Sequence, residues 1–207
     1  MAEGFKYIER KIVSKAQKRR NAKEEKRKEQ LKRIEQEEEK DEHKDRRIEQ
    51  DKFQNLLAKI GLRIFNIDAD GDCLYKAIEH QLSLSPDSDE RLSFQDIRDR
   101  TSEYMLSHSD DFLPFLSNDQ GDLMSQTEYI NYCTRISKTK EWGGHIELTA
   151  ITQFTKKAVH IYQADHREPI IIEPAIKTEK KPMLISFHKH LYHLGAHYNS
   201  LIEDVDD

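Results

Sequence analysis

The sequence predicts an α+β (mixed α/β) domain over about residues 53–203, preceded by a long, charged, solvated helix. Three observations carry this reading. Residues 9–51 are mostly helix formers and contain neither Pro nor Gly. Apolar residues then recur at helical spacing from Phe53 to Phe154. After Ala158, short apolar runs rich in β-branched residues are separated by turn residues. Helices early and strands late, with one extended segment ahead of the second helix, indicate an α+β or mixed α/β domain. The division is therefore 1–52, a charged helical arm, and 53–207, a folded domain.

Charge separates the two parts. Residues 1–33 hold 13 Lys/Arg against 5 Asp/Glu, residues 34–51 hold 4 against 9, and residues 52–207 hold 17 against 25. The arm is thus basic and then acidic, and the body is acidic, so the two are expected to meet different partners. Glu24 with Lys28, Glu29 with Arg33 and Glu42 with Arg46 are i,i+4 pairs in the favoured order. Between Ala22 and Ile48 only Leu31 and Ile34 are sizeable apolar residues, so no coiled-coil seam is available.

In the body, Phe53, Leu56, Leu57 and Ile60 mark one helical face, which Gly61 ends. Leu62–Ile67 reads as extended. Leu74, Ala77, Ile78, Gln81 and Leu82 follow a helical period, as do Ile97, Tyr104 and Met105 within Phe94–Leu106. "SPDSDERLS" is a loop, and "DDFLPFLSNDQGD" is a loop with room for a short helix. "TEYINYCTRI" and "HIELTAITQFTKK" are helices, and "AVHIYQ", "PIIIE", "MLISFH" and "HYNSL" are strands.

Two cysteines at unrelated spacing suggest neither a disulfide framework nor a CxxC metal site. No early apolar run resembles a signal peptide or approaches a membrane span, so a soluble, cytoplasmic protein is expected. Cys133, within "YINYCTRI", suits the core. Cys73 differs, because the loop "NIDADGDC" delivers it to the start of a helix. There the helix dipole and free N–H groups favour a thiolate. Backbone N–H groups around Asp70, Gly71, Asp72 and Cys73 would form an oxyanion hole. The same cysteine also suits a small buried core position, and the loop alone does not choose between them.

A nucleophilic cysteine needs a base, and "SFHKHLYHLGAHYNSL" supplies His188, His190, His193 and His197. His197 stands apart because Asn199, two residues on, shares its strand face and could orient the imidazole. The alternative is zinc at His193 and His197. Gly195 between them and the strand-forming surroundings weigh against the required helix, so no metal and no cofactor is expected.

"DADGDCLYKAI", "EWGGHIELTAI" and "GAHYNSL", in that order, resemble the three signature blocks of the ovarian-tumour (OTU) family of cysteine deubiquitinases. The resemblance covers about residues 60–203, and "SKAQKRR" at 14–20 further resembles the charged arm of the family's subgroup 6. It implies a papain-like fold and a ubiquitin-directed isopeptidase with Cys73 as nucleophile and His197 as general base. Asn199 matches the third position of the triad, and Asp70 matches the acid conventionally grouped with the site. Trp142, beside Gly143, matches the tryptophan near the substrate channel. A groove walled by Trp142 would admit ubiquitin's Gly-Gly tail, and Glu141, Asp68 and Asp72 are candidates to pair with the tail's arginines. The subgroup's link to translation makes the small ribosomal subunit and its rRNA an expected partner of the basic residues within 9–33. A ribosome- or ubiquitin-binding module with vestigial or partner-dependent catalysis is the rival function.

Overall fold

The computed structural model describes residues 15–85, 91–192 and 195–204. The chain divides into two compact units, Met1–Asp45 and Arg46–Asp207. Helix α1 spans Lys15–Ala58. In its part within the first unit, residues 20–34 are all exposed, and Glu24–Lys28 and Glu29–Arg33 pair along the surface as their spacing requires. Residues 9–14 of the arm, with Arg10 and Lys11, lie outside the described residues. Among the described residues, no helix is long and apolar enough to cross a membrane.

The second unit is a five-stranded sheet with helices packed against it. Strand β1 (Leu62–Phe65) is followed by helices α2 (Cys73–Ser83), α3 (Phe94–Ser107), α4 (Ser109–Phe112), a 3-10 turn at Leu113–Phe115, α5 (Gln126–Lys138) and α6 (His145–Thr155). Strands β2 (Val159–Gln163), β3 (Ile170–Ile172), β4 (Met183–Tyr192) and β5 (Gly195–Glu203) follow. The sheet order is β1-β5-β4-β2-β3, with β2 and β4 parallel and the other pairs antiparallel. The expected elements are therefore present, while β4 runs on to Tyr192 and β5 begins at Gly195, both longer than their apolar runs suggest.

Capping explains where two of the helices begin. Ser93 opens α3 and Ser125 opens α5, each with a reciprocal box to Asp96 or Glu128. Gly61, at φ +65°, turns the chain after α1, as a glycine at that point can. Of the four apolar residues on the predicted face, Phe53 and Leu57 are buried while Ile60 is exposed.

The core lies on both sides of the sheet. Leu74, Tyr75, Ala77 and Ile78 of α2 pack with Ile97, Tyr129, Leu148, Ile151 and Ile185 in the larger cluster. Phe53 and Leu57 of α1 join Leu62 and Leu201 in the smaller one. Gln81, at a core position of α2, bonds the sheet directly. Its amide donates to Ser200 Oγ (2.7 Å) and the Leu201 carbonyl (2.6 Å), and its oxygen accepts from Leu184 N–H (2.8 Å). A buried amide with its groups satisfied fixes the helix in register over β4 and β5.

Candidate active site

The β1–β5 pairing assembles the site. Phe65 lies opposite Ser200, so the chain leaving β1 passes Asn199, and the Ile67 N–H donates to Asn199 Oδ1 (2.8 Å). The next turn carries Asp70, Gly71 and Asp72 to the first residue of α2, Cys73. Residues more than a hundred positions apart in sequence thereby meet at one end of the sheet.

Asn199 Oδ1 also lies 3.0 Å from His197 Nε2. Because the Ile67 amide can only donate, it fixes the oxygen of the Asn199 amide towards both partners. That oxygen then requires a proton on Nε2, which leaves the lone pair of the neutral ring on Nδ1. Burial holds the His197 pKa below its ordinary value, against the opposing effects of Asn199, the Ile67 backbone and the Asp70 charge. At neutral pH the imidazole is uncharged and competent as a base.

Cys73 is a free, buried thiol. Burial pushes its pKa up, and the Asp70 and Asp72 charges add to this, while backbone hydrogen bonding from Tyr198 and Leu74 favours the thiolate. The lowering expected of a helix start is therefore outweighed at rest. The main reason is tertiary, the desolvation of the thiol by burial, and the two carboxylates of its own loop add to it. Cys133 is fully buried, with its pKa raised by burial to about 11, as a core residue requires.

The loop is held from both sides. Asp70 Oδ1 accepts from the Asp72 amide (2.9 Å), and its Oδ2 accepts from Lys76 (2.9 Å) and Lys140 (3.2 Å). Burial would raise the Asp70 pKa, but Lys76, the Asp72 amide and Lys140 together hold it below the usual carboxylate value. Asp70 is thus a charged clamp within the loop. The amide of Asp70 donates to the Asp68 carbonyl (3.0 Å) and that of Cys73 to the Asp70 carbonyl (3.2 Å). Of the four expected oxyanion donors, only Gly71 N–H has no acceptor among the described residues. Gly71 is required for space, since a Cβ there would sit 2.3 Å from the Lys140 carbonyl oxygen.

Arg98 is a further residue of the site, one that the sequence motifs do not single out. It is 1% exposed, and its guanidinium lies 4.1 Å from the Tyr75 ring centre. Nε donates to Asp72 Oδ1 (2.8 Å), Nη1 to the Ile136 carbonyl (2.8 Å), and Nη2 to the carbonyls of Gly71 (2.7 Å) and Glu141 (3.0 Å). One side chain therefore ties the cysteine loop to the end of α5 and to the segment carrying Trp142. The available signal was a basic residue sharing a helical stripe with Thr101 and Met105, both fully buried.

Trp142 is half exposed and lies over Gly195, where a Cβ would come within 3.2 Å of its ring. Together with Ala69, Asp70, Gly71, Ala196 and His197 they line a cleft of about 180 Å³. Gly143 packs beneath, with no room for a Cβ against Leu74 and Tyr75. The Gly144 amide donates to Glu147 (2.6 Å), whose buried carboxylate also accepts from the Tyr132 hydroxyl. Glu141 directs its carboxylate to Arg135 (2.8 Å), Asp72 directs its own to Arg98, and Asp68 is exposed beside Lys76. These acids do not line the cleft. His197 lies on a strand, whereas His193, its partner in the zinc alternative, lies outside the described residues.

Comparison with known proteins places the chain in a family. The family model of OTU-like cysteine proteases matches residues 68–198. The chain is 41% identical over 195 residues to human deubiquitinase OTUD6B, covering 94% of this chain and 64% of that protein. It is 33% identical over 156 residues to the ubiquitin thioesterase otu2 of Schizosaccharomyces pombe, covering 74% of this chain and 50% of that one. The chain thus spans less than two thirds of these relatives' length. The OTU domain of OTUD1 shares the fold, with a TM-score of 0.56 at 19% identity over 77% of this chain and 97% of that one. The chain belongs to the family of OTU-like cysteine proteases.

Proposed function

We propose that the chain is a deubiquitinating cysteine protease that hydrolyses isopeptide bonds at the ubiquitin C-terminus. The observation that carries this reading is the His197–Asn199 pair. Its tautomer is set by the Ile67 amide, and it stands on the strand against which the loop delivers Cys73. His197 Nδ1 takes the Cys73 proton, and the thiolate attacks the terminal carbonyl of the tail. The Gly71 amide faces the developing oxyanion, and His197 protonates the departing lysine amine. Water then hydrolyses the thioester. Asp70 positions the loop. The cleft between Trp142 and Gly195, bordered by Ala69, Gly71 and Ala196, suits a substrate segment without side chains.

The finer assignment is also ours. The basic half of the arm holds rRNA phosphates of the small ribosomal subunit and brings the cytoplasmic enzyme to ubiquitinated ribosomal proteins, raising local concentration. The exposed basic residues among 20–33 support it, with no aromatic between them to impose base specificity.

A ubiquitin with a C-terminal electrophile tests the chemistry. Labelling of wild type and Cys133→Ser, lost in Cys73→Ser, is expected, whereas a folded wild type that resists labelling points to the binding-module reading. Co-sedimentation with ribosomal subunits at rising salt tests the arm, and binding unchanged after deletion of residues 1–45 rejects it.

A further inference from the structure

The sheet face that carries His197 and Asn199 is the one covered by the C-terminal end of α1. Residues 197, 199 and 201 share a face of β5, and Leu201 packs with Phe53 and Leu57. On the neighbouring strand, His188 stands opposite His197 and Ser186 opposite Asn199. The Phe53 ring lies 4.3 Å from the His188 ring, and both residues are 1% exposed. His188 Nε2 lies 2.9 Å from Ser186 Oγ, while its Nδ1 is buried with no partner among the described residues.

Beyond His188 the β4–β5 register shifts, and pairing resumes at Tyr192 opposite Gly195. Glu49 of α1, itself 6% exposed, reaches this irregularity. Its carboxylate accepts from the backbone amides of Lys189 (2.7 Å) and His190 (3.0 Å). Two consecutive amides at a break in a ladder need an acceptor, and here a buried carboxylate from another element supplies it. A bulge of this kind re-aims the side chains beside it.

We propose that Glu49, Phe53 and His188 are positioning residues for His197. Glu49 sets the β4 bulge, Phe53 and Ser186 lock the His188 ring, and His188 holds the imidazole of His197 from the adjacent strand. An apolar side chain in place of His188 would avoid burying an unpartnered nitrogen, so packing alone does not account for a histidine there. Burial, with a smaller contribution from His197 in its charged form, holds the His188 pKa down to about 3. His188 therefore stays neutral and does not compete for the proton that His197 moves. Asp70 is the charged group that acts on His197.

The inference rests on His197 as the general base, and its deciding measurement does not need ubiquitin. Iodoacetamide alkylation of Cys73, followed at its own peptide by mass spectrometry across pH, reports the cysteine–base pair alone. In the full chain, Glu49→Gln and Phe53→Leu are expected to slow alkylation at neutral pH about 10- to 100-fold, with KM for a ubiquitin substrate unchanged. His188→Gln is expected to move the pH midpoint of alkylation. Rate–pH curves that superimpose on wild type in folded Glu49→Gln, whatever its melting temperature, overturn the proposal and leave a purely structural contact. Failure of wild type to react with the ubiquitin probe removes the deubiquitinase reading while leaving the alkylation comparison intact.

Discussion

Replacing Arg98 with Met keeps much of its length and removes the charge and every donor. Four acceptors lose their partner: the Asp72 carboxylate and the carbonyls of Gly71, Ile136 and Glu141. Asp72 is 5% exposed, and among the described residues only Lys140, 3.5 Å away and itself largely exposed, would remain as a cation beside it. Breaking a buried pair from one side costs about 3–5 kcal/mol, because the remaining charge keeps its desolvation penalty. For a domain of this size that lowers Tm by roughly 6–20 °C, at about 2–4 °C per kcal/mol. Since Arg98 joins the Gly71 loop to the Glu141–Trp142 segment, ubiquitin-probe labelling should also fall at least about tenfold well below the new Tm, through misplacement of both walls. Arg98→Lys should recover little, because an ammonium cannot reproduce the planar fork that reaches all four acceptors. Thermal unfolding by circular dichroism and labelling rates at low temperature measure the two effects separately. An Arg98→Met protein with a Tm within about 2 °C of wild type would refute the clamp, and unchanged labelling would refute its link to catalysis.

Two further outcomes follow from the histidines. Asn199→Asp places a carboxylate where His197 Nε2 now meets a neutral amide at 3.0 Å. It should raise the His197 pKa and move the acid limb of kcat/KM to higher pH, and a limb that stays in place contradicts the assigned tautomer. His188 has a folded pKa of about 3 against 6.5 in the unfolded chain. The unfolded chain therefore binds the extra proton first, so the contribution is fully present above pH 6.5 and is lost as pH falls towards 3. At about 1.36 kcal/mol per pH unit, roughly 2 kcal/mol is gone by pH 5. Denaturation curves at pH 7 and pH 5 should show that loss, reduced in His188→Gln, and equal losses in the two proteins would contradict it.

Much of the molecule is legible in the sequence because its signals are local. The periodicity of residues 74–82 and the β-branched runs after Ala158 each act within a few residues. The glycine-broken approach to Cys73 and the spacing of His197 and Asn199 are equally local, and so is the charge partition of the arm. Only the tertiary structure decided how they meet. Pairing of β1 with β5 sets the Ile67 amide on Asn199 and thereby the tautomer of His197. Close approach of Lys140, and no positive φ, makes Gly71 a glycine. Burial together with Asp70 and Asp72 reverses the helix-start effect on the Cys73 thiol. Arg98 and Glu49 read as ordinary charged-helix residues in sequence, since nothing local shows that a charge will be buried against carbonyls or amides far along the chain. Burial and desolvation depend on what packs from elsewhere, and that is why these residues became visible only in the folded chain.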